Sequence, residues 1–197
     1  MKTPISLIIP MVFFASSAFC QIVAEKNIKT PMNAALLVID VQNQFLPMMS
    51  KEDQDLALEM MNWAIWVFRE NKLPVIRVYH TSEEWGPAPG SSEFEFPESL
   101  KVNEDDLKVV KTYPSAFTQT ELDGLLKKEG INTLFLCGLS SVGCVLATWF
   151  DATAHDYKAF LVKDALLSHK SKYTEQVQDM FNAMDLETIM YMLEKTK

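Results

Sequence analysis

The sequence predicts an α/β fold in which a parallel sheet is covered by helices on both faces. Three observations carry that prediction. Short, continuous apolar runs read as strands buried on both sides. They alternate with stretches of helical periodicity. Residues with chemistry to offer fall where the runs end. In chain order, Ala34–Asp40 is an apolar strand closing on an acid, and Asp53–Asn71 is a helix with Leu56, Met60, Trp63 and Val67 on one stripe. Pro74–His80 is the second strand, and residues 81–105 form a long connection bearing Pro, Gly and Ser. Leu107–Lys111 reads as the third strand and Thr120–Glu129 as a helix closed by Gly130. Leu134–Cys137 is the fourth strand, ended by Gly138, and a helix follows over Val142–Tyr157. Ala159–Lys163 is the fifth strand, Tyr173–Met184 the final helix and Thr188–Tyr191 a last short strand. Ligands of such folds sit at the carboxyl ends of the strands, so Asp40, His80, Lys111 and Cys144 are expected along one edge of the sheet.

The chain has 197 residues, 48% hydrophobic and 22% charged, enough for one domain with a sizeable core. A net charge of −8 argues against nucleic acid or an anionic membrane surface as a partner and leaves a small molecule as the expected one. The first twenty residues read as an export signal: Met1-Lys2, an apolar stretch Ile5–Ala15, and a small-x-small site at Ala18-Phe19-Cys20. Cleavage after Cys20 leads to a periplasmic or secreted protein without an integral membrane anchor, with 21–33 as an extension and 34–197 as the domain. Lipidation at Cys20 is disfavoured by the bulky Phe19. Cys137 and Cys144 remain, and a disulfide between a strand residue and a helix-start residue is the minority reading.

Cys144 follows a strand and opens a helix, at the positive end of a helix dipole and beside unpaired backbone N–H groups. That placement suits a nucleophile. It equally suits a buried apolar cysteine, the common fate of a free thiol. Asp40 has the alternative of capping a turn, and Lys111 that of a solvated strand end.

Three segments together resemble the isochorismatase-like cysteine hydrolases of the nicotinamidase/isochorismatase superfamily. Leu37–Val38–Ile39–Asp40–Val41–Gln42–Asn43–Gln44–Phe45 is similar to that family's acid-bearing first strand. Lys111–Thr112–Tyr113–Pro114–Ser115–Ala116–Phe117 is similar to its lysine segment. Gly138–Cys144, with Thr148 and Asp151-Ala152 beyond, resembles its nucleophile loop. The resemblance spans about Ala34 to Ala165. It implies a three-layer α/β/α sandwich with a mostly parallel, Rossmann-like sheet, an Asp40–Lys111–Cys144 triad, and hydrolysis through a thioester-type intermediate. It further implies a cis Leu139–Ser140 peptide, an oxyanion hole of the Ser140 and Cys144 backbone N–H groups, and a homo-oligomer. Departures from the family pattern include Ser141, Gly143, Trp149-Phe150 and Asp156, which alter the shape of the pocket more than the triad.

The roles agree with elementary electrostatics. Lowering a thiol pKa by two units takes nearly 3 kcal/mol, of which a helix N-terminus supplies up to about 1 kcal/mol. Lys111 is the candidate for the remainder. Asp40 pushes the thiol the other way, which casts it as the base that takes the proton during attack. The pocket-wall candidates are Phe45, His80, Trp85, Tyr113 and Phe117, each of which has core packing or surface exposure as its alternative. The three histidines, His80, His155 and His169, are dispersed and lack acidic neighbours at ligand spacing, so neither a metal nor another cofactor is expected. Residues 81–106, with eight acids and Lys101 as the one base, read either as a cap bringing Trp85, Phe94 and Phe96 over the pocket or as a solvated loop. The leading activity is cleavage of a C–N bond in a small amide, imide or ureido compound. The alternatives are vinyl-ether hydrolysis of isochorismate, for which Arg69 and Arg77 are the only arginines, and a binding protein that has lost turnover.

Overall fold

Five strands, β1 (Ala34–Ile39), β2 (Val75–His80), β3 (Leu107–Lys111), β4 (Thr133–Leu139) and β5 (Lys158–Leu167), form one sheet in the order β3-β2-β1-β4-β5, with every pairing parallel. The structure, a computed structural model, describes residues 31–84 and 86–195. The export signal expected over 1–20 and the pocket candidate Trp85 lie outside the described residues. All elements belong to the unit Met32–Lys197. Among the described residues no helix is long and apolar enough to cross a membrane.

The helices divide between the two faces. α1 (Lys51–Glu70) and α5 (Leu186–Glu194) pack on one, where Met61, Ile65 and Phe68 meet Leu36, Val38, Phe135 and Cys137, with Ile189 and Leu193 beside them. α2 (Leu122–Lys128), α3 (Leu146–Ala154) and α4 (Ser171–Met180) cover the other, where Leu122, Leu126, Ala152 and Val177 meet Leu37, Ile39, Leu134 and Leu136. The period-two alternation of one strand, Ala34 to Ile39, thus supplies both cores, which is why it reads as a continuous apolar run.

Four expectations are corrected. Thr188–Tyr191 is not a strand but the middle of α5. Asp185 caps that helix by accepting from the Thr188 N–H at 2.7 Å, and Ile189 and Leu193, four apart, face the core. Only Met184 pairs with the sheet, in an isolated bridge to Val162. Gly138 does not end β4. The strand runs through it at φ 113°, where a Cβ would lie 2.1 Å from the Ile39 carbonyl oxygen, so the close approach to β1 requires glycine. The helix expected from Val142 starts at Leu146 after a wide turn, Ser141–Val145, in which Gly143 (φ −125°, ψ −108°) leaves the helical region. Finally, Phe94 and Phe96 do not cover a pocket. They stack on Tyr79 at 4.9 and 4.2 Å in the core, with the Lys108 ammonium 4.5 Å from the Tyr79 ring. Their segment straps down the turn after β1, the Asn43 and Gln44 N–H groups donating to the Glu95 and Glu93 carbonyls at 2.9 and 3.0 Å.

Strand order reverses between β1 and β4. A crevice opens at the carboxyl ends of strands on either side of such a switch point, and Asp40 and Cys144 follow those two strands.

Candidate active site

The chain leaves β1 at Asp40, whose φ of 54° is unusual for a residue with a side chain. Its N–H still bonds the Val78 carbonyl at 2.8 Å, fixing the carboxylate against β2. Gln42 then clamps the two strand ends: its Nε2 donates to the His80 carbonyl at 3.0 Å and its Oε1 accepts from the His80 N–H at 2.7 Å. The side chain thereby replaces ladder bonds that β1 no longer supplies. Gln42 is not among the residues the sequence singles out for the site, and its amide two positions after the acid was the available signal.

His80 and Lys111 are partners in register at the ends of β2 and β3. Lys111 is fully buried. Its Nζ donates to Asp40 Oδ2 at 2.7 Å and lies 3.4 Å from His80 Nδ1. The solvated strand end considered for Lys111 is therefore not what forms. A buried ammonium is tolerated only against such a partner.

The Leu139–Ser140 peptide is cis, and the turn Ser141–Val145 carries Cys144 to the mouth of the crevice. Thr148 ties this turn to the lysine segment. Its hydroxyl donates to the Cys144 carbonyl at 2.7 Å and accepts from the Ala116 N–H at 3.0 Å. Ser141 is buried and lies 3.3 Å from the Thr174 hydroxyl, which in turn lies 3.0 Å from that of Ser168, so α4 braces the turn from behind.

A cavity of about 270 Å³ opens over these groups, walled by Asp40, Phe45, Met48, Met49, His80, Leu139, Ser140, Cys144 and His169. Phe45 and His80 are in the wall, their rings 6.2 Å apart. Tyr113 and Phe117 are not. Tyr113 is exposed, and Phe117 is in the core, stacked on His155 at 4.9 Å beside Tyr157 at 5.7 Å. Met48, Met49, Leu139 and His169 line the cavity without having been singled out, since no motif marks a wall built from loop residues. Among the described residues 81–84 and 86–106, none lines the cavity, so the expected cap is not seen there. A larger groove of about 680 Å³ runs along α1 past Trp63 and Trp66, and none of Asp40, Lys111 and Cys144 lines it.

Electrostatics separate the groups. Burial raises the Asp40 carboxyl above its ordinary value, against the opposing pull of Lys111. Burial, with the Asp40 charge added, pushes the Cys144 thiol up to about 12, and Lys111 pulls it back only in part. Burial and then Lys111 lower His80 to about 4. At neutral pH the resting site therefore holds a thiol and an uncharged imidazole, not the thiolate that a helix dipole alone would favour. Asp40 and Lys111 both act on the thiol through charge and side-chain hydrogen bonding. Asp40 Oδ1 is buried without an N–H or O–H donor among the described residues, so the carboxylate has an acceptor to spare for a proton. Among the described residues no three His, Cys, Asp or Glu side chains group as a metal site would require. Cys137 and Cys144 are both free.

Comparisons with known proteins agree with this architecture. The isochorismatase domain model matches residues 34–190. An isochorismatase family protein of Bacillus subtilis is 34% identical over 141 residues, covering 68% of this chain and 77% of that protein. A probable inactive nicotinamidase of Arabidopsis thaliana is 32% identical over 174 residues, covering 76% and 89%. Among solved structures, an isochorismatase-like hydrolase of Alkaliphilus metalliredigens superposes with a TM-score of 0.72 at 24% identity, covering 81% of this chain and 98% of that one. N-carbamoylsarcosine amidase of Thermoplasma acidophilum superposes with a TM-score of 0.67 at 25% identity, covering 78% and 95%. With a five-stranded parallel sheet between two helical layers and a domain match over most of its length, the chain belongs to the isochorismatase family of hydrolases.

Proposed function

We propose that this hydrolase cleaves the C–N bond of a small amide, imide or ureido compound through a covalent intermediate on Cys144, without a metal. The observation that carries the reading is the buried Asp40–Lys111 pair, 2.7 Å apart, acting on the one thiol that lines a small cavity. Sγ attacks the carbonyl carbon while the Asp40 carboxylate takes its proton. The carbonyl π pair moves onto oxygen, and the backbone N–H groups of Ser140 and Cys144 are the proposed donors to that oxyanion. As the intermediate collapses, the C–N bond breaks and Asp40 returns the proton to the leaving nitrogen, giving a thioester and an amine or ammonia. Asp40 then deprotonates a water that adds to the thioester, and the released thiolate recovers the proton as the acid leaves. Lys111 keeps Asp40 ionised in its buried setting and balances the charge as it changes hands.

Base-assisted attack suits a thiol held up near 12, because no standing thiolate is needed. Vinyl-ether hydrolysis of isochorismate is disfavoured. Its substrate carries two carboxylates, whereas both arginines are engaged elsewhere: Arg69 with Asp106 and the Lys101 carbonyl, Arg77 with the carbonyls of Glu104 and Asp106. The test is ammonia release from a panel of small amides by wild type and Cys144→Ala. Turnover by wild type alone supports the reading; equal release by both, or pyruvate from isochorismate as the sole activity, overturns it.

A further inference from the structure

Resting on the reading of Cys144 as an acylating nucleophile, we propose that the cavity selects compact, uncharged carboxamides and rejects those carrying a carboxylate, because its wall is largely apolar and offers no cation. Three observations support this. The first is size. At the packing density of protein interiors, about 270 Å³ holds roughly ten non-hydrogen atoms.

The second is the wall. Phe45, Met48, Met49 and Leu139 form its apolar part, and among the described residues it contains no arginine and no lysine. A carboxylate placed there would lose its water without gaining a cation. The unbranched thioethers of Met48 and Met49 adapt instead to an apolar group of irregular shape.

The third is the disposition of nearby cations. Lys111 is neutralised by Asp40 at 2.7 Å. Lys170, next to His169, has its ammonium 5.3 Å over the Tyr173 ring, and Lys51 pairs with Asp55. His80, in the wall, is uncharged at neutral pH. The Asp40–Lys111 pair carries no net charge, so a carboxylate entering the cavity meets no cation to replace the water it loses.

The experiment compares pentanamide and benzamide with glutaramate, the last being pentanamide with a terminal carboxylate. At neutral pH, kcat/KM for the better neutral amide is expected to exceed that for glutaramate at least a hundredfold. Parity or a preference for glutaramate overturns the inference while leaving the hydrolase reading intact. A second readout does not need turnover: protection of Cys144 from iodoacetamide, followed by mass spectrometry. A neutral amide should slow alkylation at least fivefold at a concentration where glutaramate slows it less than twofold. Equal protection, or none by any of the three, overturns the inference; protection without ammonia release leaves it standing and overturns the hydrolase reading. Met48 is 58% exposed, so Met48→Arg introduces a cation at the rim without disturbing the core. It should move the selectivity ratio at least tenfold toward glutaramate, whereas the uncharged Met48→Gln keeps the ratio within threefold. An unmoved ratio in Met48→Arg overturns the inference, because the missing cation would then not be what excludes the carboxylate.

Discussion

Cys137 and Cys144 lie seven positions apart, one within β4 and the other in the turn that follows it, yet they serve opposite faces of the sheet. Cys137 points into the core beneath α1 and α5, where its Sγ donates to the Leu37 carbonyl at 3.5 Å. Cys144 lines the cavity beside Asp40 and Lys111. Both thiols are raised well above the usual range, Cys137 by burial alone and Cys144 by burial together with the Asp40 charge. Resting acidity therefore does not tell them apart. What does is that one has a base and a cation in reach and the other has only hydrocarbon and a carbonyl. The same geometry removes the disulfide considered for the pair, since the two sulfurs face different layers.

The largest effect should come from exchanging the two thiols separately. Cys144→Ala is expected to lower turnover of a small amide by at least about 10⁴-fold, whereas Cys137→Ala stays within twofold of wild type. Comparable losses in steady-state ammonia release would mean that the contrast between the two faces carries no chemistry.

Asp40→Asn sharpens the comparison, because it divides the two meanings of a reactive thiol. Hydrolysis should fall about 10³-fold, as the general base is gone. The midpoint of the pH profile for iodoacetamide labelling of Cys144 should meanwhile move down, because the carboxylate that raises that thiol has been neutralised. Cys137, which Asp40 does not influence, keeps its profile. A midpoint that rises would show that Asp40 helps the thiol ionise at rest.

Lys111→Met tests the charge balance behind Cys144. The variant leaves the Asp40 carboxylate buried without its cation, which costs about 3–5 kcal/mol of stability. The sign with pH follows from the raised Asp40 carboxyl. Without Lys111 the native state binds its proton more tightly than the unfolded chain does, so stability falls as pH rises from the ordinary carboxylate value through the native one. The deficit against wild type, read from Tm, should be larger at pH 8 than at pH 4. A deficit independent of pH would mean that lost packing of the lysine stem, and not the unpaired charge, sets the cost.

How much of this was legible in the sequence follows from where each signal resides. Buried strands announce themselves as apolar runs, so the order of elements and the edge shared by Asp40, His80, Lys111 and Cys144 could be read from the chain. Thr188–Tyr191 was misread because a short apolar run suits helix or strand alike. Asp185 before it, and Ile189 and Leu193 four apart, held the answer. The cavity wall was legible only in part. Phe117 carries the right chemistry in the right segment, but His155 and Tyr157, some forty residues on, draw it into the core. Met48, Met49 and His169 enter the wall because a short 3-10 turn over Leu46–Met48 and loop segments bring them there, a matter of tertiary packing that leaves no periodic trace. The thiol's resting state was likewise hidden, since desolvation depends on the depth of Cys144 and not on its neighbours in sequence.

The smallest effect belongs to the quieter thiol. Cys137→Ala removes one buried sulfur and its weak bond to the Leu37 carbonyl, and should cost about 1–2 kcal/mol in denaturant unfolding, by lost contacts and a small cavity. Leu37 lies in β1, three residues before Asp40, which gives a loosened core a short route to the acid. The β1–β4 ladder argues otherwise: Val38 pairs with Cys137 and Ile39 with Gly138 through main-chain bonds that the substitution leaves in place. Stability should therefore fall without a change in kcat or KM beyond twofold. A loss of activity that tracked the loss of stability would show that packing on the far face helps to aim Asp40 at Cys144, and that the two faces are less independent than their side chains suggest.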